Sequence, residues 1–478
     1  LGISLTFVEL VSRGSYYDTR EMRAVEINAS SLGFSEELMM ENAGAWVARY
    51  ASQKGSSFVV LVGKGGKGGD ALVAARHLAL MGFEVYAVFP YKECEISKEV
   101  TLKNLKRAKL SGVKFLREVI DGDVIIDGLL GTGVRGAPRD PVRRLILEAN
   151  TKEAYKISID VPSGMDPDTG DCVVCFDSDL VITVHMPKPG LKKIEDKVIT
   201  VEIGIPKAAD AYLGPGDLLL KPRGARKGTN GRVAVVGGSD KYQGAPWISA
   251  MASFRAGADL VYVYTPTRFP YPELIWRERK GTEVNGVELV EALRGDKVNV
   301  VLVGPGLSDE AHTVTRDVID YIEKERAFAV FDADSLKVLP ELEPKFSWRA
   351  ILTPHLGEAS KLLGRRVEDS LEERVKAARE ISERYEACVV LKGPVDVVAC
   401  ADRVVLNQAG TPLMTVGGTG DALAGVASAL LARDDPWWAS KASLYAVTKA
   451  GEKCSNEKGH ASPSCIVEEV AKVLNNIS

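Results

Sequence analysis

The stretch Phe58–Met81, FVVLVGKGGKGGDALVAARHLALM, decides the reading of the fold. Phe58–Gly63 (FVVLVG) is a continuous apolar run too short for a helix, and it reads as a strand buried on both faces. A Gly-rich turn follows, and then Asp70–Met81 reads as a helix. Strand, Gly-rich turn and helix in that order open a βαβ unit of a parallel sheet. The rhythm recurs, with strands predicted at Glu84–Phe89, Asp123–Asp127 (DVIID) and Lys156–Asp160 (KISID), each running into a polar or Gly-rich loop. Loops at the carboxyl ends of such strands are where ligands bind.

Further along, Gly204–Pro222 is rich in Gly and Pro, and the basic loop Arg223–Gly231 opens a second series. Arg232–Gly237, Val298–Gly304, Phe328–Asp332, Ala350–Pro354 and Cys388–Lys392 again read as buried strands ending in polar loops. With 478 residues the chain exceeds one hydrophobic core, so two α/β domains are expected, 1–215 and 216–478. Their rhythms cannot be aligned in register, so no internal repeat is read.

A net charge of −4 gives no electrostatic case for nucleic acid or an anionic membrane surface. No apolar run is long enough to span a bilayer. The start, residues 1–22, lacks the layout of a signal peptide and reads as an N-terminal extension. Seven cysteines suggest no disulfide framework in a chain this large. Cys172 and Cys175 form a CxxC with no second pair or nearby His to complete a zinc site. Reduced thiols point to a cytoplasmic protein. Gln occurs only at Gln53, Gln243 and Gln408 while Lys, Glu and Arg abound, a thermophile-like bias.

Gly63–Gly68 (GKGGKG) and Gly131–Gly136 (GTGVRG) both fit G-x-G-x-x-G. A dinucleotide fingerprint also wants an acidic residue at the end of the second strand, whereas Glu84 lies at its beginning and Phe89-Pro90 at its end. The dehydrogenase reading therefore fails, but two Gly-rich turns still suit a ligand with more than one phosphate. No GxxxxGK[ST] loop is present, which sets aside a Walker-type ATPase. In the second half Val416–Asp421 (VGGTGD) precedes the apolar helical stretch Ala422–Leu431. There the amides of Gly418–Gly420 can hold a transferring phosphoryl group while Asp421 takes a proton from a hydroxyl. The plain alternative for Asp421 is a helix N-cap.

Together these motifs resemble the bifunctional NAD(P)H-hydrate repair family, in which an epimerase is fused to an ADP- or ATP-dependent dehydratase (YjeF-type N- and C-terminal domains). In the first half the matching stretches are Leu38–Gly44, Gly65–Leu78, Ile125–Gly136, Ile159–Asp166 and His185–Leu191. In the second they are Lys227–Pro246, Gly304–Leu307, Asp332–Leu336, Leu352–Glu358, Leu391–Gly393 and Gly417–Gly425. The resemblance implies a Rossmann-like three-layer αβα domain followed by a ribokinase-like one. It implies a substrate in which water has added to C6 of the reduced nicotinamide ring. One half would interconvert the two C6 epimers, and the other would restore the coenzyme from one of them.

Carried onto this chain, the resemblance assigns the first phosphate loop to Gly66, Lys67, Gly68, Gly69 and Asp70. The second comprises Gly131, Thr132, Gly133, Val134, Arg135, Gly136 and Ala137. Asp160 would move the proton in epimerisation; the plain alternative is an Asp anchoring the following Pro-Ser-Gly turn. Family members hold potassium with an Asn of the first loop, an Asp ending a strand and the Ser of Pro-Ser-Gly; the last two are Asp127 and Ser163 here. In place of the Asn stands Lys67, a charge of the ion's own sign. Either Lys67 replaces potassium, or the loop has drifted towards lost epimerase activity.

In the second half the resemblance gives Ala245, Gly306, His355 and Asp421 to the hydrate, with Asp421 as catalytic base. Lys392, Gly393, Pro394, Val395, Asp396 and Gly420 would hold ADP or ATP, accompanied by Mg2+. The family's loop usually ends in Thr, and Asp396 in its place would repel phosphate unless it faces the ribose or a metal. The partners implied are NADHX or NADPHX, the adenine nucleotide and further copies of the chain in a homo-oligomer. The rivals are a ribokinase-like vitamin-precursor kinase and an interaction protein with a catalytically silent first half.

Overall fold

The computed structural model describes residues 11–133, 135–279 and 286–475. The chain divides into two compact units, Ser15–Ala209 and a second that runs from Asp210 onward and includes residues 11–14.

In the unit Ser15–Ala209, β1 (Ser57–Val62), β2 (Glu84–Val88), β3 (Lys114–Leu116), β4 (Val124–Gly128), β5 (Tyr155–Ile159), β6 (Leu180–Val184) and β7 (Val198–Val201) form one parallel sheet. Its order is β3-β2-β1-β4-β5-β6-β7, so β1, β4 and β5 are neighbours at its centre. Phe58–Val62 and Val124–Asp127 are wholly buried, as expected of strands covered on both faces. Helices Thr19–Ser31 and Glu36–Ala51, which the strand rhythm does not reveal, start at the caps Asp18 and Ser35, whose side chains accept from Glu21 N and Leu38 N.

The helix after β1 begins at Gly66, not Asp70, and runs to Leu80. The predicted Gly-rich turn is therefore mostly the helix's first turn. Its glycines answer to packing: a Cβ on Gly68 would strike the Gly63 carbonyl, and one on Gly69 would sit 2.5 Å from Met40 Sδ. Only glycine lets the helix start this close to the strand end and to helix Glu36–Ala51.

The second unit holds β8 (Arg232–Val236), β9 (Leu260–Thr265), β10 (Ile275–Glu278), β11 (Val300–Val303), β12 (Phe328–Phe331), β13 (Ala350–Leu352), β14 (Cys388–Leu391), β15 (Asp396–Cys400) and β16 (Arg403–Asn407). Their order is β10-β9-β8-β11-β12-β13-β14-β15-β16. Pairing is parallel as far as β14 and antiparallel through β15 and β16.

Two expectations change. The division falls at Ala209/Asp210 rather than near residue 215, and residues 11–14 are not an appendage of the first unit. Val404 N donates to Ser12 O at 2.6 Å, and Arg13 pairs with Asp217 at 2.6 Å, both side chains fully buried. Lys441 reaches the same carboxylate at 3.2 Å. Burial alone would push Asp217 up, but the Arg13 and Lys441 cations outweigh it and hold it well below the usual carboxylate range.

The cysteines also differ from expectation. Cys172–Cys175, Cys388–Cys400 and Cys454–Cys465 are disulfides, leaving Cys94 free and exposed among the described residues. Cys388 and Cys400 sit on the neighbouring strands β14 and β15, and Cys454 and Cys465 on consecutive helices. Tertiary pairing of this kind leaves no mark in sequence spacing. It also removes reduced thiols as an argument for compartment, since intracellular proteins of hyperthermophiles are disulfide-rich. No helix of the described residues is long and apolar enough to cross a membrane.

Candidate active sites

In the first unit, three loops meet beyond the carboxyl ends of β1, β4 and β5. Asp160 follows β5 directly, with φ +63°. A left-handed backbone at a non-glycine residue is uncommon, and here several bonds hold it. Asp160 N donates to Ile182 O at 2.7 Å, and Asp160 Oδ1 accepts from Thr183 Oγ1 at 3.0 Å. The fully buried Lys188 ammonium also donates to Oδ1, and to Val184 O at 3.2 Å. Burial, the Asp160 carboxylate and Glu26 push the Asp70 carboxyl well above its ordinary range. Burial likewise raises Glu26, against Arg23 and Lys188. Three acidic groups thus share one field, with Lys188 in contact with one of them.

The second loop starts at Gly131, and with Leu130, Ala137, Gly164 and Met165 it lines a cavity of about 230 Å³. Arg135 Nη1 donates to Asp166 at 2.8 Å and Nη2 to Asp168, tying the loop to the segment after Ser163. Thr132, Gly133 and Gly136 lie at the surface of this loop. Val134 lies outside the described residues.

Asp127, Ser163 and Lys67 do come together. Lys67 Nζ donates to Asp127 Oδ2 at 2.8 Å, Val161 O at 2.7 Å and Ser163 Oγ at 3.1 Å. The oxygens a potassium ion would use already surround an ammonium, so the residues present do not fit the ion.

In the second unit, Gly418 with φ +97° leads into the helix Thr419–Leu431. Asp421 is that helix's third residue and not its N-cap. Burial and the Asp332 carboxylate raise it to about 7, against the pull of Lys392. Asp332 accepts from Lys392 Nζ at 3.0 Å and from Thr353 Oγ1 at 2.7 Å. A Cβ on Gly420 would lie 3.3 Å from Lys392 Nζ, which puts the two nucleotide motifs side by side.

Lys392 N donates to Pro354 O at 2.8 Å, bringing His355 alongside. His355 caps the helix Leu356–Leu363, its Nδ1 accepting from Gly357 N and Glu358 N, and its ring is exposed. Ala245 opens the helix Ala245–Arg255, whose Ser249 Oγ donates to Asp421 O at 2.9 Å. Gly306, with φ +69°, packs its Cα face on Tyr242 O. Asp421, Gly420, Lys392 and His355 are linked by these contacts, the helix opened by Ala245 packs on Asp421 O, and Gly306 contacts Tyr242.

Asp396, expected in the nucleotide loop, has its carboxylate engaged within its own turn and strand pair. It accepts from Gly393 N at 2.8 Å and from Asn407 Nδ2 at 2.9 Å, closing the turn that contains Pro394 and Val395. Burial raises it in spite of those bonds. Its charge is turned inward to the β15–β16 pair. Among the described residues no cluster of three or more His, Cys, Asp or Glu could hold a metal alone.

Residues 36–190 match the family described as YjeF-related protein N-terminus, and 233–472 match NAD(P)H-hydrate dehydratase. The bifunctional NAD(P)H-hydrate repair enzyme Nnr of Hyperthermus butylicus is 37% identical over 95% of this chain and 91% of its own. The chain belongs to the bifunctional NAD(P)H-hydrate repair family. The same-named enzyme of Methanopyrus kandleri is 38% identical over 96% of this chain and 97% of its own. A hypothetical protein of Streptococcus mutans of known structure is 26% identical, covering 56% of this chain and 99% of that one with TM-score 0.50. Against this repair-family frame, sequence reasoning missed Lys188, Thr183, Asp332 and Glu26. Lys188 and Asp332 lay inside quoted motifs, and only their contacts mark them out.

Proposed function

We propose that the unit Ser15–Ala209 interconverts the C6 epimers of hydrated NADH and NADPH, and that the second unit dehydrates one epimer with ADP or ATP. The observation that carries the reading is that one chain of this family holds both acid–lysine sites, Asp160 with Lys188 and Asp421 with Lys392 and Asp332.

In the first site Asp160 takes the proton of the C6 hydroxyl as the N1–C6 bond breaks, its electron pair staying on N1 and C6 becoming an aldehyde carbon, and returns the proton to that oxygen when N1 re-adds to the opposite face. Lys188 and Thr183 keep Asp160 Oδ1 aimed while this happens. The first-turn amides of helix Gly66–Leu80 and the loop from Gly131 bind the pyrophosphate.

In the second site Asp421, poised at about 7, removes the C6 hydroxyl proton as that oxygen attacks the terminal phosphoryl group and displaces ADP from ATP, or AMP from ADP. Gly418–Gly420 and Lys392 neutralise the charge that develops on the phosphoryl oxygens. The ring nitrogen then expels phosphate, and loss of a C5 proton restores the double bond. Mg2+ bound with the nucleotide would supply further neutralisation of phosphate charge, with Asp332 the carboxylate that would help hold it.

The expected partners are the hydrates, the nucleotide and other copies of the chain, with no nucleic acid or membrane. A cytoplasmic location follows from the soluble coenzyme pool that generates the substrate. The test is recovery of reduced coenzyme, by its absorbance, from mixed hydrate epimers with ADP or ATP and Mg2+. Full recovery faster than spontaneous epimerisation is expected. Recovery that stalls after one epimer would refute the first half of the reading, and none with either nucleotide would refute the second.

A further inference from the structure

Lys67 is a long cationic side chain that is almost fully buried, its side chain 3% exposed. An isolated ammonium there would be severely penalised, and an ammonium has three N–H donors to satisfy. All three are used, on one carboxylate (Asp127 Oδ2), one carbonyl (Val161 O) and one hydroxyl (Ser163 Oγ), at 2.7–3.1 Å.

The shell around it is equally complete. Asp127 Oδ2 also accepts from Ser158 Oγ at 2.9 Å and Ser163 N at 2.8 Å, and Oδ1 accepts from Leu129 N at 3.1 Å and Ser163 Oγ at 2.5 Å. Leu130 N donates to Ser163 Oγ at 2.8 Å. The cage holds one negative and one positive group. A second cation would make it net positive in a buried setting, and Nζ already occupies the point where the oxygens converge.

Lys67 and its partners come from three segments of the chain. Lys67 lies in the first helical turn after β1, Asp127 in β4, and Val161 and Ser163 after β5, the adjacent central strands of the sheet. A Cβ on Gly131 would meet Lys67 Cβ at 3.4 Å, so the second phosphate loop starts against the same side chain.

We propose that Lys67 is a covalently tethered cation standing where family members place potassium, so that this unit assembles both phosphate loops without any monovalent ion. The consequence for epimerisation rests on the function proposed above; the structural claim does not. A tethered cation has no dissociation equilibrium, and the loops stay ordered whatever the potassium concentration.

The test compares the full chain in potassium chloride and in choline chloride at equal ionic strength, by hydrogen exchange of the segments 63–72 and 127–137. Wild type should exchange identically in the two salts. Lys67→Asn leaves the buried Asp127 carboxylate without its cation, its other donors intact, while opening space for an ion. Its segments should exchange at least about tenfold faster in choline and recover protection saturably with potassium. Epimerisation by wild type should be the same in both salts, and that of Lys67→Asn should become potassium-dependent. Potassium-dependent protection or stimulation of wild type would overturn the proposal, and so would a Lys67→Asn chain fully protected in choline. Should that variant not fold, the wild-type comparison alone still decides. Unchanged exchange in wild type with no epimerisation would uphold the tethered cation and refute the catalytic reading of this unit.

Discussion

Each unit places a lysine near its key carboxylate, but at different range. Lys188 touches Asp160 directly and is itself sealed from solvent. Lys392 is bonded to Asp332, and Asp421 feels it only as a field, opposed by burial and by the Asp332 charge. Direct pairing fixes a carboxylate in place; burial next to a like charge raises a carboxylate's affinity for protons. The first arrangement suits a group that must be aimed, the second a base poised near neutral pH. One chain thus has two acids held by opposite physics.

The largest effect expected is from Asp421→Asn, which should lower nucleotide-dependent coenzyme recovery by about 10²–10⁴-fold. Epimer interconversion, followed by chromatography of the two hydrates, should continue. Asp160→Asn should do the reverse, leaving recovery of one epimer fast and the other limited by spontaneous epimerisation. If either substitution silences both activities, the two sites are not independent and the comparison fails.

Lys188→Met should cost about 3–5 kcal/mol of stability, since it strands a largely buried carboxylate without its cation. Thermal unfolding would register it. Lys392→Met should cost less, because Lys392 is partly exposed and Asp332 keeps Thr353 as a donor. Equal losses would mean that contact and field are not distinct here.

A subtler difference is in pH dependence. Dehydration should rise through about pH 7 as Asp421 loses its proton, whereas Asp332→Asn, removing the like charge, should move that rise to lower pH. Stability should run the other way. The folded chain keeps the Asp421 proton up to about pH 7, while the unfolded chain releases it in the ordinary carboxylate range, so stability declines as pH climbs between them. Asp421→Asn should flatten that decline in melting temperature against pH.

Much of this was legible beforehand. Strands such as Phe58–Val62 and Arg232–Val236 announce themselves because burial on both faces demands unbroken apolar runs. Edge and hairpin strands, among them β10, β15 and β16, were not read, although β15 and β16 pair across a short hairpin. Asp160 and Asp421 could be named from motif context, but neither Lys188 nor Asp332 could be singled out. Their importance rests on which atom they touch, and that contact spans 28 residues for Lys188 and 60 for Asp332.

The sequence by itself determined the α/β class, the two-part plan, the family and the residue types gathered at each site. Local periodicity and short motifs carry those, because they reflect how each segment meets water and its nearest neighbours along the chain. Only the tertiary structure decided that residues 11–14 belong with the second unit, that six cysteines are paired, that Asp396 turns inward and that Lys67 fills its own cage. Residues 11–14 and Lys67 depend on groups far apart in the chain arriving within bonding distance, while the cysteine pairs and the Asp396 bonds, 3 to 12 residues long, depend on turn and strand geometry that residue spacing alone does not specify.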